Sequence, residues 1–399
     1  MAINKLNVLH WHLVDLQSFP FVAPRAPELA AAAAFSPQER YTRLDVEDVV
    51  SFAADFGIRV VVEVDVPGHT YSFCKSHPEV CPTPSCGAQN ALAPHTNATF
   101  DLIEKVFADV ADATTDQVMH LGGDEVQYAC WNGSAAIRKW ITREYGADVD
   151  WSRPCRNDGV AWNGTAFVNA TTGTASCVFD RVFQDFILKA HAIAARLGRT
   201  AIGWHEIWRH LGARLPKSTI IHFWLGGGEG LFDMLDATSN GYRAVWSVAR
   251  GVGLGSWYTG GDAEPWETMY IREPCEGLSV AQCALVLGGG AEQWGETVDS
   301  SDLEQTLWPR AAAVAERLWS PKPSNASATG PAPAWCIRNS PHGQPRGDSP
   351  FACVNNTASV LPRLEQFRCY LNRRGVLAAP VQNKVGRSAP PGPGGCGSQ

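Results

Sequence analysis

Short apolar runs recur along this chain at 5–10, 58–64, 117–121, 201–204, 219–223, 243–247 and 284–288, and apolar residues at helical spacing fill much of the sequence between them. Runs of that length bounded by turn residues predict buried strands, and the 3.6-residue periodicity predicts helices. The clearest helix starts at Asp45 as N-cap, carries Val46, Val49, Val50, Ala53 and Phe56 on one face, and stops at Gly57. Further helices are predicted near 179–197, stopping at Gly198, and near 302–318, with Asp302 in the first turn and an end before Pro321. A last one near 359–374 buries Leu361, Leu364, Phe367 and Leu371 and ends at Gly375. Repeated strand–helix units predict an α/β fold with a parallel sheet. Polar and aromatic residues gathered at strand C-terminal ends predict a (β/α)8 barrel of the TIM type rather than an open sheet. Seven strands are counted where eight are needed, and the first begins within a few residues of Met1, so the missing first strand is expected upstream.

Residues 1–320 are assigned to the barrel, with an insertion near 147–178 that carries two cysteines and two Asn-x-Thr sequons. Residues 321–399 are assigned to a Pro/Gly-rich insertion, a C-terminal helix and a tail packed on the barrel.

The chemistry collects where strands end. His120-Leu121-Gly122-Gly123-Asp124-Glu125 sets two carboxylates side by side after an apolar strand, on glycines that let the backbone turn or approach a ligand. Neighbouring strand residues point to opposite sides, so adjacent carboxylates at a strand end can serve two atoms of one substrate. Different surroundings can also drive the two acids to different protonation states. A solvated acidic turn is the competing reading of that pair. Other strands end in His10-Trp11-His12-Leu13-Val14-Asp15, Glu63-Val64-Asp65-Val66-Pro67-Gly68-His69, Trp204-His205-Glu206, His222-Phe223-Trp224 and Glu292-Gln293-Trp294-Gly295-Glu296, with Trp257-Tyr258 after the strand near 243–247. Indole faces stack on the C–H faces of sugar rings while carboxylates accept from sugar hydroxyls, so this mixture on one rim predicts a carbohydrate pocket.

The chain has 399 residues, 45% of them apolar, which is enough for one large core. A net charge of −7 argues against nucleic acid or an anionic membrane surface as partner. No apolar run approaches the ~20 residues of a membrane helix. The start of the chain does not read as a signal peptide. Yet twelve cysteines fall into neighbouring pairs, Cys74/Cys81, Cys86/Cys130, Cys155/Cys177, Cys275/Cys283, Cys336/Cys353 and Cys369/Cys396, without a CxxC. Disulfides, in a pairing that spacing alone leaves open, fit better than zinc. Sequons at Asn97, Asn132, Asn163, Asn169, Asn325 and Asn355 point the same way, to the secretory pathway.

The most specific words, His-Leu-Gly-Gly-Asp-Glu-Val at 120–126, Asp-x-Pro-Gly-His-Thr at 65–70 and Leu-His-Trp-His-Leu-x-Asp-x-Gln-Ser-Phe-Pro at 9–20, resemble the catalytic domain of glycoside hydrolase family 20, the β-N-acetylhexosaminidases. The resemblance runs from about residue 3 to about residue 320. It implies a retaining exo-enzyme that removes terminal β-linked GlcNAc or GalNAc from glycans or chito-oligosaccharides, with the substrate's own 2-acetamido oxygen as nucleophile. By the same resemblance Glu125 is the general acid and base, Asp124 orients the acetamide N–H, and Tyr258 donates to its oxygen. Trp204, Trp224 and Trp294 form the acetamide pocket and sugar platform, and Glu296 holds ring hydroxyls. Asp15, Asp65 and His69 support Glu125 and the pocket. No metal ion and no organic cofactor is implied. The implied protein is a lysosomal, vacuolar or extracellular glycoprotein, with a homodimer as its candidate assembly.

Two departures from the family pattern stand out. A sugar-binding arginine belongs on the strand expected upstream. An acid normally follows the tyrosine, where this chain has Thr259-Gly260-Gly261 and then Asp262. Two other readings compete: an inactive or glycan-binding remnant of such an enzyme, and a metal-dependent amidohydrolase barrel built on His10, His12, His120 and His222.

Overall fold

The computed structural model describes residues 1–146, 149, 151, 160–162, 167–169, 177–250, 259, 265–270, 272–275, 277–295, 298–320 and 360–381. The chain divides into two units, Met1–His222 with Asn240–Arg243, and Phe223–Ser239 with Ala244–Gln399.

In chain order the strands are β1 (Val8–Val14), β2 (Arg59–Val64), β3 (Val118–His120), β4 (Val160–Trp162), β5 (Phe167–Asn169), β6 (Thr200–Trp204), β7 (Ile220–Leu225), β8 (Arg243–Arg250) and β9 (Val286–Gly289). In the first unit β1, β2, β3, β6 and β7 pair in that order, all parallel. In the second, β8 pairs parallel with β9. Each of the seven apolar runs thus corresponds to a parallel strand. The first differs most, since β1 starts and ends later than 5–10 and takes His10, Trp11 and His12 into the strand itself. β4 and β5 form an antiparallel hairpin within the proposed insertion.

Alternation along β2 sorts the first unit's interior. Val60, Val62 and Val64 join the core that includes Val46, Val50, Leu102, Ile103, Val106 and Phe107 from the helices Arg43–Asp55 and Asn97–Ala113. Each such side chain removed from water contributes roughly 1.5–3 kcal/mol. Val61 and Glu63 point to the opposite face, buried as well. Leu9, Trp11 and Leu13 of β1 pack on the same core as Val60, so His10 and His12 share the side of Glu63. In register, His12 lies opposite Glu63, and Glu63 opposite His120. The sheet therefore carries polar groups inward at its C-terminal end.

The helix expected from Asp45 begins earlier. Thr42 is its N-cap and Asp45 is the third residue of a capping box, each side chain taking the other's backbone N–H. Phe56, assigned to the buried face, is 56% exposed because it falls at the C-cap, where the backbone has left the helix before Gly57 turns it with φ of 70°. The helix expected at 302–318 is two, Leu303–Leu307 and Arg310–Trp319, because Pro309 has no N–H to continue the ladder. The helices Val178–Arg196 and Leu361–Arg373 match expectation; in the second, Leu364 and Leu371 are buried and Leu361 and Phe367 half-buried.

Disulfides join Cys74 to Cys81, Cys86 to Cys130 and Cys275 to Cys283, as paired from the sequence. Cys177 and Cys369 are also disulfide-bonded. Their proposed partners Cys155 and Cys396, and the pair Cys336/Cys353, lie outside the described residues. The sequon asparagines Asn97 and Asn132 are exposed, both on helices. No helix among the described residues is long and apolar enough to cross a membrane.

Candidate active site

The turn after β3 is built around two glycines that no other residue could replace. Gly122 has φ of 67°, and a Cβ there would fall 1.8 Å from Asp65 Oδ1. At Gly123, φ is 99° and a Cβ would meet Ile207 Cγ2 at 2.6 Å. This close approach lets the turn bind its neighbours through the backbone. Leu121 N–H donates to the carbonyl of Ile202 at 2.9 Å, Trp204 N–H to that of Gly122 at 2.9 Å, and Val66 N–H to that of Leu121 at 3.1 Å. Gly123 N–H donates to Asp65 Oδ1 at 2.9 Å.

Asp124 and Glu125 follow. Since β3 already ends at His120, strand alternation does not separate the two carboxylates as the sequence suggested. The separation comes from Glu125 itself, which has φ of 48°, and His69 across the turn has φ of 54°. A non-glycine residue in that region costs on the order of 1–3 kcal/mol and persists only where its surroundings hold it. Two of the three such residues among those described are thus candidate site residues named from the sequence. The side chain of Asp124 is 15% exposed and that of Glu125 51%, so one carboxylate is enclosed and the other open.

His69 stands between them and Asp15. Its Nδ1 lies 3.1 Å from Asp15 Oδ1, and its Nε2 lies 3.5 Å from Asp124 Oδ2 and 3.7 Å from Glu125 Oε2. Burial opposes a charge on His69, but Asp124, Asp15 and Asp65 outweigh it and push the imidazole up to about 11. Asp15 is held well below the usual carboxylate range, against its burial, by His12 and His69. Asp65 behaves in the opposite way. It is enclosed completely, and burial together with the charge of Asp124 raises it well above the carboxylate range.

Behind this cluster lies a second one. Glu63 is wholly buried and meets His10 Nε2 at 2.6 Å, His12 Nδ1 at 2.9 Å and His120 Nδ1 at 3.1 Å, while Trp204 Nε1–H donates to it at 2.7 Å. Trp204, proposed from the sequence as part of the sugar pocket, is only 2% exposed, with its indole N–H turned inward. Glu63 itself was not among the residues singled out. The signal was available: Glu63 and Asp65, like His10 and His12, stand two apart at a strand end and so face the same side.

In the second unit Trp224 and Trp294 are half-buried. Thr259 N–H donates to the carbonyl of Glu292 at 2.8 Å, and its hydroxyl to Gln293 Oε1 at 2.7 Å, tying Thr259 to the segment that carries Trp294. Tyr258, Glu296 and Asp262 lie outside the described residues.

Residues 1–322 match the family described as glycosyl hydrolase family 20, catalytic domain. The chain belongs to that family. Among its family-20 relatives, "Beta-hexosaminidase 1" of Arabidopsis thaliana is 36% identical over 401 residues, covering 100% of this chain and 61% of the relative. "Beta-hexosaminidase subunit beta" of Homo sapiens is 30% identical over 388 residues, covering 96% and 58%. The chain thus spans about three fifths of the length of the curated relatives it matches. Among solved structures, the family-20 chitobiase of Flavobacterium johnsoniae superposes with a TM-score of 0.69 at 23% identity, covering 94% of this chain and 48% of that one. An exo-β-N-acetylglucosaminidase of Vibrio harveyi in complex with N-acetylglucosamine gives 0.69 at 20% identity, covering 96% and 55%. The fold is accordingly the TIM-type barrel of family 20.

Proposed function

We propose that this chain is the catalytic domain of a retaining exo-β-N-acetylhexosaminidase acting on terminal β-linked GlcNAc or GalNAc of glycans or chito-oligosaccharides, in the secretory pathway. One observation carries the reading: Asp124 and Glu125 sit on a strained glycine turn, one enclosed and one open, with His69 within 3.5 and 3.7 Å of their oxygens.

An open carboxyl can reach a leaving-group oxygen, protonate it, and later take a proton from the attacking water; this is the role given to Glu125. An enclosed carboxylate can hold an acetamide N–H while the amide oxygen attacks the anomeric carbon, and it stabilises the positive charge that develops on the amide; this is the role given to Asp124. The nucleophile belongs to the substrate and is already near its target, which removes much of the entropic barrier. His69 faces both carboxylates with one nitrogen, and Asp15 and Asp65 hold His69 and the turn. Tyr258 is assigned to the acetamide oxygen, Trp204, Trp224 and Trp294 to the sugar pocket, and Glu296 to ring hydroxyls. A homodimer is the assembly put forward, to be read by sedimentation.

The metal-dependent alternative draws on His10, His120 and His222, whose ring nitrogens lie within 4.8 Å of one another. The rings of His10 and His120 are stacked, with centroids 4.5 Å apart and planes at 23°, and His222 is stacked on Trp204 at 4.3 Å. Stacked imidazoles aim their nitrogens side by side, whereas a metal needs lone pairs that converge. Glu63 moreover engages a nitrogen of both His10 and His120.

The test is hydrolysis of aryl β-GlcNAc substrates by the purified chain. Glu125→Gln is expected to lose turnover on poor leaving groups by about 10²–10⁴-fold and far less on activated aryl glycosides, which barely need a proton. Removing the 2-acetamido group, as in a β-glucoside, should lower the rate by several powers of ten. Comparable rates on β-glucoside and β-GlcNAc substrates would sink substrate assistance. Binding of GlcNAc without any turnover would instead favour the remnant reading.

A further inference from the structure

We propose that Glu63 is a positioning residue for the acid–base pair: from the closed interior of the first unit its carboxylate holds His12 and Trp204, and through His12 and Asp15 it fixes His69 against Asp124 and Glu125. The inference rests on the functional reading above and goes inward from it.

The contacts form one unbroken series. Glu63 Oε2 lies 2.9 Å from His12 Nδ1, and His12 Nε2 lies 3.0 Å from Asp15 Oδ2. The other oxygen of Asp15 lies 3.1 Å from His69 Nδ1, and His69 Nε2 faces Asp124 and Glu125. Anion and imidazole alternate at every step, so each imidazole lies between carboxylates, hydrogen-bonded at His12 Nε2 and His69 Nδ1 and in charge contact without an aligned hydrogen bond at His12 Nδ1 and His69 Nε2. A carboxylate buried without compensation would be neutralised; Glu63 has imidazoles on one side and an indole N–H on the other. Burial would raise its carboxyl, but His120, His12 and His10 outweigh that and hold it well below the carboxylate range. His12, whose burial opposes protonation, is pushed up to about 10 by Glu63 and Asp15.

The second route is mechanical. Trp204 Nε1–H donates to Glu63 Oε1, so the ring that the functional reading places in the sugar pocket is fixed by the same carboxylate that fixes the relay. Register explains why one residue can do both: Glu63 lies opposite His12 on β1 and opposite His120 on β3.

The titratable groups that face Glu63 are His10 and His12 of β1, His120 of β3, His222 of β7 and Asp65 just beyond its own strand. Those that face His69 are Asp15, Asp65, Asp124 and Glu125.

Two variants of the full chain, Glu63→Gln and His12→Asn, decide the matter. The amide of Gln can still accept the indole N–H but carries no charge. In Glu63→Gln, the His12 titration followed by ¹⁵N-histidine NMR is expected to fall by about 1–3 pH units. The kcat on an aryl β-GlcNAc with a poor leaving group should fall about 10–100-fold, with KM within about threefold and a new ionisation between pH 5 and 8. His12→Asn breaks the relay but leaves the Trp204 anchor, and should lower kcat to a similar degree without the new ionisation. It stands in for Glu63→Gln if that variant does not fold.

An unchanged His12 titration in Glu63→Gln overturns the proposal. So does a loss of activity that is equal on activated and poor leaving groups with no change in the pH profile, since a structural role alone predicts that. If the wild-type chain does not hydrolyse any β-GlcNAc substrate, the functional reading fails, and the imidazole titrations still decide whether Glu63 governs His12.

Discussion

Glu63 and Asp65 stand two residues apart near the end of the same strand, face the same side and are equally enclosed, yet the carboxyl of Glu63 is held well below its ordinary range and that of Asp65 well above it. Burial pushes both upward, so burial is not what separates them. Glu63 is surrounded by imidazoles and an indole N–H, while Asp65 meets Asp124 and the backbone of the glycine turn. The partner set decides the direction of the shift. One strand thereby delivers two carboxyls driven in opposite directions, the second beside the acid proposed to clamp the substrate.

The most severe way to break this contrast is Gly122→Ala. Its Cβ would overlap Asp65, and the residue would keep a left-handed backbone, so unfolding stability should fall by about 3 kcal/mol or more. A urea midpoint within error of wild type would show that the turn can move off Asp65. A sharper comparison sets Glu63→Gln against Asp65→Asn. The first removes a charge that buried imidazoles answer and should cost about 2–4 kcal/mol; the second removes a carboxyl whose anion burial and Asp124 both disfavour and should cost under about 1 kcal/mol. Equal costs would mean that the two carboxyls share one protonation state.

Stability against pH tests the same contrast without mutation. His12 and His69, raised from an ordinary value of 6.5 to about 10 and about 11, contribute stability that is complete below 6.5 and is lost as pH rises toward those values. Asp15 and Glu63, depressed from 3.8 and 4.5, contribute stability that is present above those values and is lost as pH falls below them. Asp65, raised from 3.8, adds stability that erodes as pH rises. Burial lowers His120, His191 and His222, which therefore lose stability as pH falls below 6.5, so thermal melts from pH 3 to 9 should show the highest midpoint close to pH 6.5. A maximum above pH 8 would contradict the charge assignments. A milder effect than that of Glu63→Gln is expected of Trp204→Phe, which removes one indole donor from Glu63 and should cost about 1–2 kcal/mol, read from the same melts.

Much of the first unit was legible beforehand because its signals are local. The runs at 58–64, 117–121, 201–204 and 219–223 are strands because a buried parallel strand needs apolar residues on both faces. The helix ending at Gly198 shows in sequence because one glycine supplies the left-handed backbone beyond its cap. Thr42 was missed as a cap because Asp45 and Thr42 make a reciprocal pair, and either could have been the cap from sequence. The break at Pro309 was missed because apolar periodicity continues through it.

At the site, the motifs located Asp15, Asp65, His69, Asp124 and Glu125, and folding brings all five into one region. They did not reveal that Glu125 departs from the strand or that Trp204 turns its N–H inward, since both depend on neighbours far away in sequence.

The sequence by itself determined the repeated strand–helix order and the family, and it proposed the pairs Cys74/Cys81, Cys86/Cys130 and Cys275/Cys283 that the fold joins. These follow from composition and short-range spacing, which the chain carries with it unfolded. Only the tertiary structure decided in which direction each buried acid is driven. Protonation depends on what lies within a few ångströms, and Glu63 meets Trp204, 141 residues away, only once β2, β3 and β6 have paired in register.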